Sequence, residues 1–318
     1  MRTLTIRPLA DADEPQVLSL LTTALGWAEV GDTARRYRWK HVDNPFGRSF
    51  GWVATDRERL VGVRLFMRWR FRWNGELVNA ARAVDTATHM EYRGRGIFSA
   101  LTRQGLGALA EVGVAFVFNT PNDQSRPGYL KLGWELLGQP PVAVQLRSLA
   151  ALPRTARARV PAALESLPTA CGLPPGEGLD GVANSAPAGT LPDQLVTDRT
   201  LEFLRWRYGL PQLHYRVARL EGGGAIVFRL RRRGAAVELV VNDVLGACDT
   251  PASAIARAIR RLLRATGADH AIRIAPCDHR GQRLPVRGPT LAWRAVATRS
   301  PAPPLHQWAL SMGDIELL

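Results

Sequence analysis

The sequence predicts a mixed α/β fold built from two tandem domains, each a twisted, mostly antiparallel sheet flanked by helices. Three observations support this prediction. The chain of 318 residues is longer than one ordinary domain. Short apolar runs alternate with helical patterns in its first half. Arg38-Trp39-Lys40-His41 returns in altered form as Arg205-Trp206-Arg207-Tyr208, and strand patterns follow both copies.

The first half predicts one strand, two helices and three antiparallel strands, in that order. The first helix begins near Asp11 or Asp13, and the second is capped by Asp32 or Thr33 and ends near His41. The predicted strands are 3–8, 50–54, 60–71 and 77–88, and Asn74-Gly75 predicts the hairpin that joins the last two. A strand from Val114, a short helix at 125–132 and a final strand to about Leu146 complete this half.

The most informative stretch runs from Val84 to Ser99 and joins a strand pattern to a helix pattern. Between them lies Arg93-Gly94-Arg95-Gly96, where two glycines allow a tight turn with converging backbone N–H groups. The helix that follows brings its positive dipole end to the same point. The loop therefore predicts an anion site, and a phosphate or pyrophosphate is the expected anion.

Other glycine-rich phosphate loops fit this stretch less well. A dinucleotide-binding loop needs a third small residue, here Ser99, and an acid about 20 residues further on. That later region holds Phe116-Val117-Phe118-Asn119 and no acid. A Walker loop needs Gly-Lys followed by Ser or Thr, which this stretch lacks. A basic turn that binds nothing remains as the alternative.

The stretch resembles the acetyl-CoA motif of the GNAT superfamily of N-acyltransferases, Arg/Gln-x-x-Gly-x-Gly/Ala. Arg93 and Gly96 match it, whereas Phe98 stands where a small residue is usual. The later Asn119 and Tyr129-Leu130-Lys131-Leu132-Gly133-Trp134 resemble the family's ending, with Trp134 in place of Phe. The resemblance implies an acyl-CoA co-substrate, with acetyl-CoA expected. The cofactor-binding residues that it implies are Thr86, Ala87, Thr88, His89, Arg93, Gly94, Arg95, Gly96, Ile97, Phe98, Ser99 and Asn119.

The same resemblance implies an N-acetyltransferase with Tyr129 as the general acid to the CoA sulfur. Backbone N–H groups near Thr86 would polarise the thioester carbonyl. The general base stays open, because the family's strand glutamate is replaced here by Arg82. Asp85, on the opposite face of that strand, and Asp314, near the last residue, are the candidate carboxylates, and a water-mediated route is a third possibility.

The acyl acceptor is expected to be an amine of a small polar metabolite, such as an amino sugar. The predicted contacts are Trp39, Asp43, Asn44 and Asn122, because carboxylate, amide and aromatic groups suit a hydroxylated amine. A peptide amine or an aminoacyl-tRNA stays open as an acceptor. Acyl chain length and oligomeric state are not predicted.

Composition restricts the other functions. A net charge of +14 attracts polyanions, so a nucleic-acid-binding protein is an alternative, but no helix-turn-helix, zinc-finger or RNA-binding signature is found. A CoA-sensing or scaffold protein without turnover is a second alternative. The three cysteines form no zinc pattern, and no metal is expected. No apolar run is long enough for a membrane span, and a cytoplasmic location is expected.

The second half predicts a copy of the fold without a CoA motif. Residues 149–198 are rich in Pro, Ala and Gly and are predicted to link a domain at 1–148 to a second at 199–318. The turn before the predicted helix at 251–265 reads Gly246-Ala247-Cys248-Asp249-Thr250. It lacks Arg-x-x-Gly and carries an acid, so the second domain is expected to be degenerate.

Overall fold

The computed structural model describes residues 4–27, 32–158, 160–180, 182, 193–221, 223–246, 251–274, 286–298 and 301–316. The chain forms two compact units. The first contains Met1–Phe71, Leu77–Gly138 and Pro289–Pro303, and the second contains Arg72–Glu76, Gln139–Gly288 and Pro304–Leu318. Both units draw on both halves of the chain, and the predicted domain boundaries at 148 and 199 stay a prediction.

The elements of the first half follow the predicted order. They are β1 (Thr5–Pro8), α1 (Glu14–Leu25), α2 (Thr33–His41), β2 (Phe50–Asp56), β3 (Arg59–Trp73), β4 (Glu76–Thr88), α3 (Ile97–Glu111), β5 (Phe116–Asn119), α4 (Arg126–Lys131) and β6 (Glu135–Gly138). Asp32 caps α2, as predicted, by accepting the Arg35 N–H at 2.9 Å. Asn74 and Gly75 both adopt positive φ, which is the geometry of the predicted two-residue hairpin.

The remaining elements begin at Pro141 and include short helices and strands within the segment predicted as a linker. They are β7 (Pro141–Leu146), α5 (Leu152–Arg157), β8 (Ser166–Leu167), α6 (Pro175–Gly178), β9 (Val196–Thr197), α7 (Leu201–Tyr208), β10 (Arg216–Arg219), β11 (Ala225–Arg233), β12 (Ala236–Leu245), α8 (Ala252–Thr266), β13 (His270–Ile274), β14 (Val286–Arg287), β15 (Leu291–Ala295) and α9 (Met312–Ile315).

The first unit is built on a sheet with the strand order β1-β2-β3-β4-β5-β15-β6. β5 is parallel to β4 and antiparallel to β15. α3 buries Ile97, Leu101 and Leu109 in the core beside Trp52 and Phe66. The helix lies so close to the sheet that a Cβ on Gly105 would sit 2.5 Å from the Phe66 ring.

The second unit is built on a sheet with the order β10-β11-β12-β13-β7-β14. β13 is parallel to β12 and antiparallel to β7. α8 covers this sheet with an apolar face formed by Ile255, Ile259 and Leu263. The unit therefore repeats the arrangement of the first: antiparallel strands, one parallel pair and a covering helix. The predicted two-sheet α/β fold is confirmed.

The two sheets exchange one strand each. The final strand expected to run to Leu146 is divided, because Gly138, at φ 122°, and the following Pro140-Pro141 interrupt it. Its first part, β6, stays in the first sheet, and its second part, β7, pairs with β13 and β14 in the second. β15, from late in the chain, occupies the corresponding place between β5 and β6.

A buried aspartate anchors a helix to a strand at the same point of each unit. In the first, the parallel ladder ends at Arg82, and three residues later Asp85 accepts from Lys40 at 2.7 Å and contacts His41 Nε2 at 2.9 Å. In the second, the ladder ends at Val240, and three residues later Asp243 accepts the Tyr208 hydroxyl. His41 and Tyr208 are equivalent positions of the Trp-containing repeat, so the predicted repeat has a counterpart in side-chain contacts.

In the first anchor, burial and charge pairing have opposite effects on the pKa of each partner. Burial lowers the pKa of Lys40 to about 8, although the negative charge of Asp85 acts to raise it. Burial also raises the pKa of Asp85, but the charge of Lys40 and the hydrogen bond from His41 outweigh it and hold that pKa well below its usual range. Asp85 also adopts φ 42°, a left-handed conformation that aspartate tolerates better than most residues. The ion pair therefore holds β4 in a bend.

We expect that residues 1–148 alone do not fold cooperatively, because this fragment lacks β15. Leu291, Ala292 and Trp293 of β15 are at most 2% exposed and cover the open edge of β5. The same fragment with residues 289–303 fused after it through a Gly/Ser linker serves as the matched comparison. Calorimetry should show a thermal transition in the fusion and none in the fragment; a fragment with its own cooperative transition would contradict the exchange.

Asp85→Ala and Asp243→Ala are expected to destabilise the protein by a similar amount, about 3–5 kcal/mol each, since each removes one partner of a buried polar pair. The free energy of unfolding from urea denaturation measures this loss. Asp43→Ala, which removes an exposed carboxylate beside the same helix, is the control and should change stability little. A change below about 1 kcal/mol for Asp85→Ala would show that the contact is not an anchor.

Candidate active site

The loop before α3 has the geometry of an anion site. Gly94 and Gly96 adopt φ 74° and 75°, and a Cβ at either position would meet no atom within 4 Å. Gly96 is the N-cap of α3, whose first-turn N–H groups have no acceptor within the helix. Among the described residues, no acceptor is found for the N–H groups of residues 94–96. These donors lie in an exposed loop, and the phosphate cradle expected from the sequence stays a prediction.

The side chains around this loop fix its position. Tyr92 is buried and donates its hydroxyl to Asp56 at 2.7 Å. The Arg95 guanidinium lies 4.7 Å from the centre of the Tyr92 ring and donates to the Glu91 carbonyl. Arg93 donates to the Thr88 carbonyl at 3.4 Å. Both arginines remain exposed, so the loop presents positive charge beside its free N–H groups.

β4 continues past the end of its ladder with β5. Their parallel ladder covers only Ala80–Arg82 opposite Phe116–Phe118, although β4 continues to Thr88. The predicted residues Thr86, Ala87 and Thr88 lie on this continuation, which leads directly to the Arg93–Gly96 loop. β4 thus continues past its last pair with β5, which itself ends at Asn119, and the splay that the family resemblance implies stays a prediction.

Tyr129 lies on α4 and is 5% exposed. Its hydroxyl oxygen accepts a hydrogen bond from Arg64 Nη1 at 2.8 Å. Phe98 meets the Tyr129 ring edge-on, with centroids 5.4 Å apart, and Trp134 packs against it at 5.0 Å. Arg64 Nη1 also donates to the Thr86 hydroxyl, so the tyrosine is connected to the end of β4.

The bulky Phe98, which departs from the family pattern, has a defined partner in this structure. Gly128 on α4 lies beneath the Phe98 ring, and a Cβ there would sit 3.0 Å from it. The ring also lies 5.6 Å from the Arg64 guanidinium. Phe98 therefore forms one wall around the Tyr129 hydroxyl, and the missing side chain at Gly128 makes room for it.

The remaining predicted cofactor and catalytic residues are placed as follows. Ile97 is in the core, Ser99 is half-buried in the first turn of α3, and His89 directly follows β4 and accepts from Arg59 at 2.7 Å. Asn119 ends β5, and its buried Oδ1 has no partner among the described residues. Asp314 lies in the second unit, 1% exposed, and accepts from Arg199 at 2.6 Å.

The two candidate base carboxylates are both held in buried ion pairs. Asp85 is paired with Lys40, and its low pKa makes it a weak proton acceptor. Asp314 also accepts the Ser311 backbone N–H and so caps α9. Both have structural contacts that explain their burial, and their catalytic role stays a prediction.

The four residues predicted to contact the acceptor differ in burial and in hydrogen bonding. Asn44 is buried, donates to the Arg68 carbonyl and accepts the Phe46 N–H, so its amide stabilises a turn. Asn122 accepts the Ser125 N–H before α4. Trp39 is 6% exposed on α2. Asp43 alone of the four has an exposed side chain with no partner among the described residues.

Sequence reasoning missed Arg64 and the pair Lys40–His41. Arg64 is the only charged residue in the run Leu60–Met67, which is otherwise apolar or glycine, and this isolated charge in a buried strand was the available signal. His41 and Lys40 were noted only as members of the repeat. Their contact with Asp85 joins residues 44 positions apart, which no local pattern encodes.

The described residues show neither a metal-binding cluster nor a membrane-spanning helix. Within them, no cluster of three or more His, Cys, Asp or Glu side chains could hold a metal ion. None of the helices that the structure describes is both long and apolar enough to cross a membrane.

Comparison with known proteins finds a family model that matches the first part of the chain. A family model described as "Acetyltransferase (GNAT) domain" matches residues 5–137. No curated protein matches the sequence.

Solved structures share the fold of nearly the whole chain. A protein of Enterococcus faecalis V583, described as a probable N-acyltransferase, has a TM-score of 0.62 at 16% identity, covering 93% of this chain and 73% of its own. GCN5-related N-acetyltransferases of Anabaena variabilis ATCC 29413 and Kribbella flavida give TM-scores of 0.61 and 0.59 at 13% and 18% identity. They cover 92% and 93% of this chain and 73% and 71% of their own lengths. Residues 5–137 are therefore a GNAT acetyltransferase domain, of the class that transfers an acyl group from CoA, and the fold of these acetyltransferase structures extends over both units.

Proposed function

We propose that the protein transfers an acetyl group from acetyl-CoA to the amine of a small polar metabolite, such as an amino sugar. The observation that carries this proposal is the early end of the β4–β5 ladder beside the Arg93–Gly96 loop. The part of β4 beyond the ladder, at Thr86–Thr88, is followed within a few residues by the N–H groups of residues 94–96. A cytoplasmic location is part of the same proposal.

The Arg93–Gly96 loop and the end of β4 suit the two ends of CoA. The N–H groups of residues 94–96 and the dipole of α3 are donors for the pyrophosphate, and Arg93 and Arg95 add charge. The open edge of β4 at Thr86–Thr88 can pair with the amide groups of the pantetheine as a further strand does. Asn119, whose buried Oδ1 lacks a partner, offers an acceptor on the facing strand.

Tyr129 is the proposed general acid. It lies beside the end of β4 through the shared contact of Arg64 with Thr86 and Tyr129. Phe98 and Trp134 exclude water from its ring and hold it in one orientation. A phenol is protonated at neutral pH and can donate to a departing thiolate.

The acceptor amine is proposed to approach past α2. Asp43 has the exposed carboxylate that a positively charged amine or a sugar hydroxyl would bind. An acyl-CoA panel against amino sugars, polyamines and peptide amines, measured by release of free CoA, tests this choice. Turnover of peptide amines with none of amino sugars would replace the proposed acceptor and leave the CoA site unaffected.

Gly96→Asp is expected to weaken acetyl-CoA binding at least about tenfold, equivalent to about 1.4 kcal/mol, because it places a negative charge in the cradle. Isothermal titration calorimetry measures this affinity. Gly96→Asn adds a side chain of the same shape without charge, and Gly107→Asp adds the charge at an exposed position of α3, where a Cβ meets nothing within 4 Å. Unchanged affinity in Gly96→Asp would contradict the site.

Tyr129→Phe is expected to lower kcat about 10²–10⁴-fold, because it removes one positioned acid. The ring and its contacts with Phe98 and Trp134 remain, so acetyl-CoA affinity should stay close to that of the wild type. Because the buried Arg64 loses one acceptor, the free energy of unfolding should fall by about 1–3 kcal/mol. Steady-state kinetics and calorimetry on the same preparation separate the two effects. Turnover within a few-fold of the wild type would show that Tyr129 only packs.

A further inference from the structure

Arg64 carries a buried charge that no acidic side chain balances in the part of the chain that the structure describes. Its side chain is 0% exposed, and its Nε and Nη2 atoms have no hydrogen-bond partner. Three aromatic rings surround the guanidinium, with Phe66 at 4.4 Å, Tyr129 at 5.2 Å and Phe98 at 5.6 Å. Such rings attract a cation but replace only part of the hydration lost on burial.

The direction of the Arg64–Tyr129 hydrogen bond follows from chemistry. A guanidinium can only donate, so the Tyr129 oxygen is the acceptor at 2.8 Å. The hydroxyl proton must then point away from Arg64. Among the described residues, no acceptor is found for this proton, because the hydrogen bond of the Tyr129 side chain is with Arg64 and its ring contacts are aromatic. The hydroxyl proton of this buried tyrosine is therefore available for donation.

We infer that Arg64 is the positioning residue for the general acid: it aims the proton of Tyr129 at the leaving sulfur and balances the phenolate that remains. This inference rests on the proposed role of Tyr129. The amine nitrogen forms a C–N bond with the acyl carbon, and the C–S bond breaks with its electron pair on sulfur. The sulfur takes the Tyr129 proton as an S–H bond, and the electron pair of the O–H bond stays on oxygen. The amine loses one proton to water, and water returns one proton to the phenolate.

The change in charge on Tyr129 during the transfer gives the buried Arg64 cation a role. Before the transfer, Arg64 is a buried charge beside a neutral phenol. After the transfer, the same guanidinium lies 2.8 Å from a phenolate oxygen, and the two form an ion pair in a water-poor site. The electrostatic cost of the cation is therefore largest before the transfer and smallest after it, which favours the transfer.

Thr86 connects this pair to β4. Arg64 Nη1 donates to the Thr86 hydroxyl as well as to Tyr129, so the guanidinium has a fixed place between α4 and the end of β4. The strand that is proposed to hold the pantetheine thus also sets the position of the acid. No other basic side chain among the described residues donates to Tyr129.

Three substitutions test the inference. Arg64→Met removes donors and charge, Arg64→Gln keeps a donor without charge, and Arg64→Lys keeps both. We expect kcat to fall about 10²-fold in Arg64→Met, less in Arg64→Gln and least in Arg64→Lys, with acetyl-CoA affinity within a few-fold of the wild type. Arg68→Met is the matched control, since Arg68 lies on the same strand with its guanidinium 3.9 Å from the Phe50 ring, and its kcat should be unchanged.

A double-mutant cycle with Tyr129→Phe separates this inference from the proposed function. If Arg64 acts through Tyr129, Arg64→Met in the Tyr129→Phe background lowers kcat no further. A further tenfold loss of kcat in the double variant would overturn the inference. So would a kcat within threefold of the wild type in Arg64→Met or Arg64→Gln when Tyr129→Phe is slow. Either result leaves the proposed role of Tyr129 as general acid unaffected. A fast Tyr129→Phe overturns both. If Arg64→Met does not fold, Arg64→Gln in both backgrounds decides.

Discussion

The contact between Asp85 and the end of α2 is the constraint on which the site depends. Asp85 has a positive φ three residues after the last parallel pair, and β4 continues to Thr88 although β5 ends at Asn119. Thr86 and the Arg93–Gly96 loop follow directly along the chain. A carboxylate, an ammonium and an imidazole in one dry site permit little movement, because separating them would leave a buried charge unpaired.

The second unit shows that this contact is architectural. Asp243 occupies the same place after the β12–β13 ladder and accepts from Tyr208, although the sequence that follows it carries no CoA motif. The same contact in a unit without that motif is consistent with a structural role for Asp85, and its catalytic role stays a prediction. The proposed general acid, Tyr129, lies instead beside the buried charge of Arg64.

Each sheet also contains one strand from the other half of the chain. β15 closes the first sheet beside β5, and β7 closes the second beside β13. Each parallel pair would otherwise have an open edge with unpaired backbone groups, which is costly in a buried sheet. The late part of the chain carries no CoA motif but supplies β15 to the first sheet. This strand gives the late part a structural role that does not require a ligand.

Local chemistry determined much of this protein from the sequence alone. Asn74-Gly75 specified its hairpin, Asp32 its cap, and Arg93-Gly94-Arg95-Gly96 a loop with positive φ at both glycines, because turns, caps and glycine conformations depend on neighbouring residues. Tertiary structure alone decided that β7 and β15 change sheets, that Lys40 meets Asp85, and that Arg64 lies against Tyr129. These contacts join residues far apart in the chain, and their free energy comes from burial and pairing that exist only after the sheets have formed.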